Sequence, residues 1–498
     1  MKKATTLTLA IILTLCLALF AACNGGNRDS YLFPNFSTEA GEENYQYESI
    51  VEQPFVSTDD ETASYFSLDR NTASYSLMRR QIEEGRKLSA GSVRLEEYVN
   101  YFNYDYARPT GDNALALGGS VFDCPWNASH KLLSISVAAE ELQLETAQRN
   151  NIVFLIDTSG SMYGDDRLGL IQQAFTMLLQ NISNDDVISV VTYAGDSRVA
   201  LDGESAAHKV KIAKVIEDLE AGGSTNGSGG LENAYRIAQK HFIKNGNNRV
   251  ILATDGDFNV GVSSKHGLEK LISEKRDSGI YLSVLGVGMI NTNDTTMETL
   301  ARNGNGNYAY LDSVLEAKKV LVNELNGTLV TVAKDAKIGV EFNKNVVAKY
   351  RLLGYDAKML TQEQFEDETT DAGEIGAGHT VTAVYEIELK SGNDGAIQGE
   401  IATAELKYKK PAEKGSKEEN KSVSVTFTTA HYTETPSNDC VFIGCVLEYG
   451  LILRESKYKG DASFNAVLAR LEALSSYLAE DEFKQDFAST VKKASKLY

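Results

Sequence analysis

The sequence is poor in the residues from which zinc centres and disulfide frameworks are built. It contains five cysteines, six histidines and one tryptophan in 498 residues. No two histidines lie four positions apart, so the His-Glu-x-x-His zinc motif is absent. Cys440 and Cys445 fall on one predicted helix at a spacing too wide for a bridge. We therefore expect them and Cys124 to be buried thiols, with neither a disulfide framework nor a zinc site.

Positive charge is also scarce, with 49 Lys and Arg against 69 Asp and Glu. Binding to nucleic acid requires clustered Lys and Arg that neutralise phosphates, so no nucleic-acid partner is expected. The glycine-rich stretches at 222–230 and 286–288 do not match Gly-x-x-x-x-Gly-Lys-[Ser/Thr]. No acidic residue is placed to hold a ribose. A nucleotide ligand is therefore not expected either.

Long apolar runs are missing except at the N-terminus, where Lys2 and Lys3 precede the apolar stretch 7–22. This pattern predicts a signal peptide. The small residues Ala21 and Ala22 before Cys23 resemble a bacterial lipobox. That resemblance implies cleavage and a diacylglycerol anchor on Cys23, and the alternative is an uncleaved membrane anchor. Either way, we expect an extracytoplasmic protein held at the membrane of the cell envelope.

The period of the apolar residues changes along the chain. It is helical from 65 to 106, two-residue in the stretches 114–121 and 131–138, mixed from 149 and two-residue again after 327. Strands that alternate with helices predict an α/β domain with a doubly wound, parallel sheet. We expect this domain to be inserted in an antiparallel β-domain with flanking helices. The predicted divisions are a signal peptide at 1–22, a tether at 23–58, a helical and β segment at 59–148, the α/β domain at 149–326, the β-domain at 327–436 and a helical segment at 437–498.

Polar residues follow two of the predicted buried strands. The first strand runs directly into Asp157-Thr158-Ser159-Gly160-Ser161, where an extended backbone would point Asp157, Ser159 and Ser161 the same way. Thr225 lies in a glycine-rich loop, and Asp255 ends a second strand. Because the carboxyl ends of parallel strands meet in one crevice, these oxygens predict a site for a hard metal ion. Taken alone, the first loop could equally be a polar turn that caps a helix.

In this order, the five residues match the metal-ion-dependent adhesion site, or MIDAS, of the von Willebrand factor A superfamily. The α/β segment resembles the Rossmann-like domain of that superfamily. The resemblance implies that Ser159, Ser161 and Thr225 contact a divalent metal, Mg²⁺ or else Mn²⁺ or Ca²⁺. Asp157 and Asp255 would lie close and often reach it through water. The expected partner is a protein that offers a carboxylate to the metal.

The flanking segments are similar to those of one group of bacterial lipoproteins in this superfamily, often labelled calcium-activated chloride channel-like. The resemblance covers nearly all of the mature chain. The segments that carry it are 62–75, 94–102, 350–355, 371–379 and 456–461.

We expect a binding module with no catalytic residues. Neutral hydroxyls leave a bound ion electrophilic, and Mg²⁺ usually keeps waters that a carboxylate can replace. Two alternatives stay open: an envelope scaffold that the metal only stabilises, and a metal-assisted hydrolase, which would need a base beside the ion.

The lipobox gives a first test. Wild-type protein should take up a radioactive fatty acid in growing cells, and Cys23→Ser should take up none, because the acceptor thiol is gone. Cys124→Ser is the matched control and should keep the label. A wild-type protein that stays unlabelled would instead favour the uncleaved anchor.

Overall fold

The computed structural model describes residues 51–68, 70–141, 149–224, 227–256, 265–288, 294–325, 327, 330–390, 399–411 and 418–498. The predictions for the signal peptide, for Cys23 and for Thr225 lie outside these residues.

The elements below are numbered in chain order. The strands are β1 (Val56–Ser57), β2 (Ala63–Ser67), β3 (Leu115–Asp123), β4 (His130–Ala139), β5 (Asn150–Asp157), β6 (Val187–Tyr193), β7 (Ser197–Ser205), β8 (Asn247–Thr254), β9 (Ile280–Gly286), β10 (Tyr308–Tyr310), β11 (Thr331–Phe342), β12 (Val347–Leu352), β13 (Met359–Leu360), β14 (Gly373–Gly376), β15 (Thr380–Leu389), β16 (Glu400–Lys410) and β17 (Glu419–Thr428). The helices are α1 (Ala73–Glu83), α2 (Leu95–Asn100), α3 (Leu168–Asn181), α4 (Lys209–Glu217), α5 (Gly227–Lys240), α6 (Lys265–Asp277), α7 (Asp294–Asn303), α8 (Val314–Lys318), α9 (Gln362–Glu366), α10 (Asn438–Leu453), α11 (Phe464–Ala473), α12 (Ser475–Leu478) and α13 (Glu482–Ala494).

The predicted doubly wound α/β domain is present. Its sheet has the strand order β10-β9-β8-β5-β6-β7, and all neighbours are parallel except β6 and β7, which form a hairpin. Strand β5 is buried on both faces, because Phe154 packs towards α3 and α4 while Leu155 packs towards α5 and α6. A strand covered on both faces has apolar residues at consecutive positions, and this continuous run made β5 recognisable in the sequence.

The α/β domain is inserted in a β-domain, as predicted. Strand β4, which precedes the insertion, pairs along its length with β15, which follows it. The β-domain contains two sheets, whose number the sequence does not predict: β1-β12-β15-β4-β3 and β13-β2-β11-β16-β17, with β14 beside β11. Apolar residues from both sheets share one core, so they form a sandwich.

Two features of the N-terminal segment differ from the sequence predictions. Residues 63–67 form strand β2, although the helical pattern was predicted to begin at residue 65. Ser64 and Phe66 alternate with less buried neighbours, and the run pairs with β11, whose position the sequence does not reveal. In addition, Val56–Ser57, within the range predicted as a tether, pairs with β12.

The flanking helices cover the β-domain. Helices α1, α2, α10, α11 and α13 share a core with Trp126 and Val384 of the β-domain. Helix α1 also contacts the α/β domain, since Ala73 and Leu77 pack with Tyr310. Cys124, Cys440 and Cys445 are free and buried, as predicted. No helix in the described part of the chain is long and apolar enough to cross a bilayer.

The buried side chain of Arg79, on α1, connects three parts of the molecule. Its guanidinium forms ion pairs with Asp312 at 2.6 Å and Glu316 at 2.8 Å, both at the end of the α/β domain. It also donates to Tyr101 beyond α2 at 2.8 Å and contacts Asp486 of α13 at 3.2 Å. The side chains of Arg79 and Glu316 are only 4% and 1% exposed, so these charges depend on each other for stabilisation.

Removing the Arg79 guanidinium tests how α1 attaches to the α/β domain. Arg79→Leu should lower the free energy of unfolding by about 3–5 kcal/mol, because it leaves buried carboxylates without their cation. Urea denaturation measures the loss. Glu83→Ala, which breaks an exposed ion pair between α1 and Lys493, is the control and should cost under about 1 kcal/mol. Equal stability of the two variants would contradict the role given to Arg79.

Candidate metal site

The strand ends bring the first predicted site residues together. Asp157 is the last residue of β5 and lies opposite Tyr193 of β6. On the other side, the register of Ile156 with Ala253 places Asp157 beside Thr254, the last residue of β8, and Asp255 follows directly. The chain leaves β5 towards β6 and later returns to β8 on the opposite side. The carboxyl end of β5 is therefore the switch point where α/β sheets form a binding crevice.

The last residue of β5 and the ten residues that follow it, which we call the metal loop (157–167), curl tightly. The Ser159 amide donates to Asp157 Oδ1 at 2.9 Å, and the hydroxyl oxygens of Ser159 and Ser161 lie 3.0 Å apart. The predicted extended backbone ends at Ser159, because Gly160–Met162 forms a 3₁₀ turn. The two hydroxyls nevertheless meet, since the turn folds Ser161 back towards Ser159.

The glycine-rich loop lies against the metal loop. The Gly160 amide donates to the Gly223 carbonyl at 3.1 Å, and the Gly222 amide donates to the Thr158 carbonyl at 2.8 Å. Gly223 has φ of +87°, a conformation that a side chain disfavours. These bonds hold the segment just before Thr225 beside Ser159.

The carboxylates at the base of the crevice are buried. Asp157 is fully buried, and Asp255 is 8% exposed. Burial raises the pKa of Asp157, and the nearby charge of Asp255 raises it further. The Thr254 hydroxyl, which the sequence analysis did not single out, donates to Asp157 Oδ2 at 3.2 Å. A buried pair of carboxyl groups beside two hydroxyls is an all-oxygen donor set, which suits a hard divalent cation.

The site contains two carboxylates and no imidazole or thiol among its described members. In the ranges the structure describes, no three or more His, Cys, Asp or Glu side chains are grouped so as to hold a metal. The donor set is therefore unlike the nitrogen- and sulfur-rich sets of zinc centres. Hydroxyl oxygens and water are the remaining candidate ligands for such an ion.

The crevice opens to solvent at Ser161. Asp157 and Ser159 are buried, whereas Ser161 is exposed and Tyr163, two residues later, is 82% exposed. Strand β5 runs from Asn150 to Asp157, so its carboxyl end lies about 23 Å from its first residue. Helix α1 of the N-terminal segment also reaches this end of the α/β domain, where Arg80 pairs with Asp166 at 2.7 Å.

Three family models match the chain. The one described as von Willebrand factor type A domain matches residues 151–323, one described as von Willebrand factor matches 41–134, and one described as Uncharacterized protein YfbK, C-terminal, matches 327–497. With its doubly wound sheet and the crevice at the end of β5, the protein is a von Willebrand factor A domain protein.

Comparison with individual relatives narrows the family to which the chain belongs. The uncharacterized protein YfbK of Escherichia coli K12 is 38% identical over 445 residues, which cover 85% of this chain and 76% of the relative. The chain belongs to the YfbK family. Human inter-alpha-trypsin inhibitor heavy chain H3 is 25% identical over 262 residues, 48% of this chain and 28% of the relative. The solved von Willebrand factor type A protein from Catenulispora acidiphila is 15% identical, with a TM-score of 0.41 over 77% of this chain and 91% of its own.

The contact between the glycine-rich loop and the metal loop can be tested by adding one methyl group. Gly223→Ala should destabilise the protein by about 1–2 kcal/mol, because an L-residue is strained at positive φ. The added Cβ itself would be 3.6 Å from its nearest neighbour, so crowding does not contribute. Gly222→Ala is the matched control, since its Cβ would meet nothing within 4 Å. Urea denaturation measures the stability of both variants. Equal stabilities would contradict the backbone geometry described for the glycine-rich loop.

Proposed function

We propose that this protein binds a protein partner through a divalent cation held by Asp157, Ser159, Ser161, Thr225 and Asp255. The observation that supports it most strongly is the pair of hydroxyls 3.0 Å apart at the mouth of a crevice with a buried carboxylate base. The match to the von Willebrand factor type A domain covers the positions of all five residues. Mg²⁺ is the preferred ion, with Mn²⁺ or Ca²⁺ as substitutes.

The residues of the chain suit a cation that has to remain attractive to a further ligand. Two of the described donors are neutral hydroxyls, so the site supplies little charge beyond its two carboxylates. The Ser159 amide and the Thr254 hydroxyl orient the Asp157 carboxylate from opposite sides. A bound divalent ion would supply an electrophilic position that a carboxylate can occupy in place of water.

The expected partner therefore presents an Asp or Glu side chain. Tyr163 adds a second feature, because its 82% exposed ring stands on the metal loop itself. Aromatic side chains of this kind contribute large contact areas at protein interfaces. We expect Tyr163 to pack on the residues next to the partner's carboxylate. No nucleic acid or nucleotide is proposed as a ligand.

We propose further that a lipid on Cys23 anchors the protein to the membrane of the cell envelope and that the folded part faces the extracytoplasmic side. The protein is proposed to be a binding protein and not an enzyme. The alternatives are an envelope scaffold stabilised by the metal and, with less support, a metal-assisted hydrolase. They differ from the proposal in whether the metal is needed for a partner to bind.

Metal binding is tested by calorimetry with Mg²⁺ and Mn²⁺. Asp157→Ala or Thr225→Ala should abolish the binding heat while circular dichroism stays native, since each removes an oxygen from the site. Asp165→Ala, an exposed acidic neighbour on the same loop, is the control and should bind as wild type does. Unchanged affinity in both site variants would refute the assignment.

Partner binding is tested by capture from envelope extract on the immobilised protein. A partner should bind in Mg²⁺, elute with EDTA and fail to bind the Asp157→Ala variant. Its binding should also be lost when its own contacting Asp or Glu is replaced by the amide. If Mg²⁺ raises the melting temperature but no capture depends on it, the scaffold alternative is correct.

A further inference from the structure

We propose that Arg80, which lies on α1 outside the α/β domain, is a positioning residue of the metal loop. It would hold the loop in the shape that binds the cation, so that the N-terminal segment sets the metal affinity. This inference rests on the proposed function and adds a residue that lies outside the domain carrying the five site residues.

A direct contact joins Arg80 to the metal loop. Its Nη2 lies 2.7 Å from Asp166 Oδ2, and its side chain is 13% exposed. Asp166 is followed by Arg167, whose Nη1 donates to the Ser161 carbonyl at 2.6 Å. Arg80 thus fixes the far end of the loop, and Arg167 ties that end back to a predicted metal ligand.

A second contact path reaches the same place through the ends of β9 and β10. Arg80 Nη1 donates to the Tyr310 hydroxyl at 3.0 Å, and that hydroxyl donates to the Gly288 carbonyl at 2.7 Å. Arg167 packs directly on Gly288, where an added Cβ would lie 2.7 Å from Arg167 Nε. Arg80, Tyr310, Gly288, Arg167 and Asp166 therefore form a closed ring around the base of the loop.

The helix that carries Arg80 is itself anchored. Arg79, the preceding residue, is buried among Asp312, Glu316 and Asp486. Adjacent helix positions point in different directions, so Arg79 can fix the helix to the end of the domain while Arg80 reaches the metal loop. A loop held from a rigid element loses less freedom when it binds a ligand.

The solvent exposure of the ion pair between Arg80 and Asp166 limits how much it can change the metal affinity. Asp166 is 48% exposed in its side chain, so water weakens the ion pair. Because such pairs are worth little, we expect a three- to tenfold loss of metal affinity when Arg80 is removed.

The experiment measures Mn²⁺ and Mg²⁺ binding by calorimetry on the full chain. Arg80→Ala and Asp166→Ala should each weaken binding three- to tenfold, and the double variant should lose less than the product of the two. Exchanging the charges, with Arg80→Asp and Asp166→Arg together, should restore part of the affinity. Glu84→Ala removes another ion-pair partner of Arg80, the residue that directly follows α1. It is the matched control and should leave the affinity unchanged.

Hydrogen exchange in EDTA gives a readout that needs no metal. The amides of residues 160–166 should exchange faster in Arg80→Ala than in wild type or Glu84→Ala. Unchanged exchange, or wild-type metal affinity in Arg80→Ala, would overturn the positioning role even if the metal site is correct. A wild-type protein that binds neither ion would overturn the proposed function, and exchange alone would then decide whether Arg80 holds the loop.

Discussion

The buried guanidinium of Arg79 is the contact on which the arrangement of the domains depends. The α/β domain is an insertion, so the chain connects it to the β-domain only at its two ends. Arg79 adds a lateral attachment, because it meets Asp312 and Glu316 from a helix that packs on the β-domain core. Burying these carboxylates without a cation would be unfavourable in free energy. The ion pairs with Arg79 therefore favour one orientation of the inserted domain. Without such an attachment, relative motion of the domains would be the default expectation.

This fixed orientation gives the crevice at the end of β5 a defined direction. Two layers of support hold it: the buried strands place Asp157 and Asp255, and the loops around residues 160 and 223 brace each other through backbone hydrogen bonds. A site assembled in advance in this way spends less binding free energy on ordering itself. The side chains of Ser161 and Tyr163 are exposed and form the solvent-facing part of this region.

The sequence predicted the α/β domain and singled out five polar positions, four of which lie in the described residues, because these features are local. Strands buried on both faces are continuous apolar runs, and the polar residues that follow them are read directly from the chain. The parts that were missed depend on distant partners. Strand β2 pairs with β11 at Ile338 opposite Phe66, and neither the second sheet nor this register can be inferred from a two-residue period. The contacts of Arg80 with Asp166 and of Thr254 with Asp157 likewise arise only after folding.

The central claim is that the oxygens at the end of β5 and in the two neighbouring loops hold one divalent ion. Anomalous diffraction from crystals grown with Mn²⁺ tests it most directly. We expect a single strong peak about 2.0–2.3 Å from the hydroxyl oxygens of Ser159 and Ser161 and close to Thr225. A crevice without a peak at saturating Mn²⁺, or an ion bound only elsewhere, would contradict it.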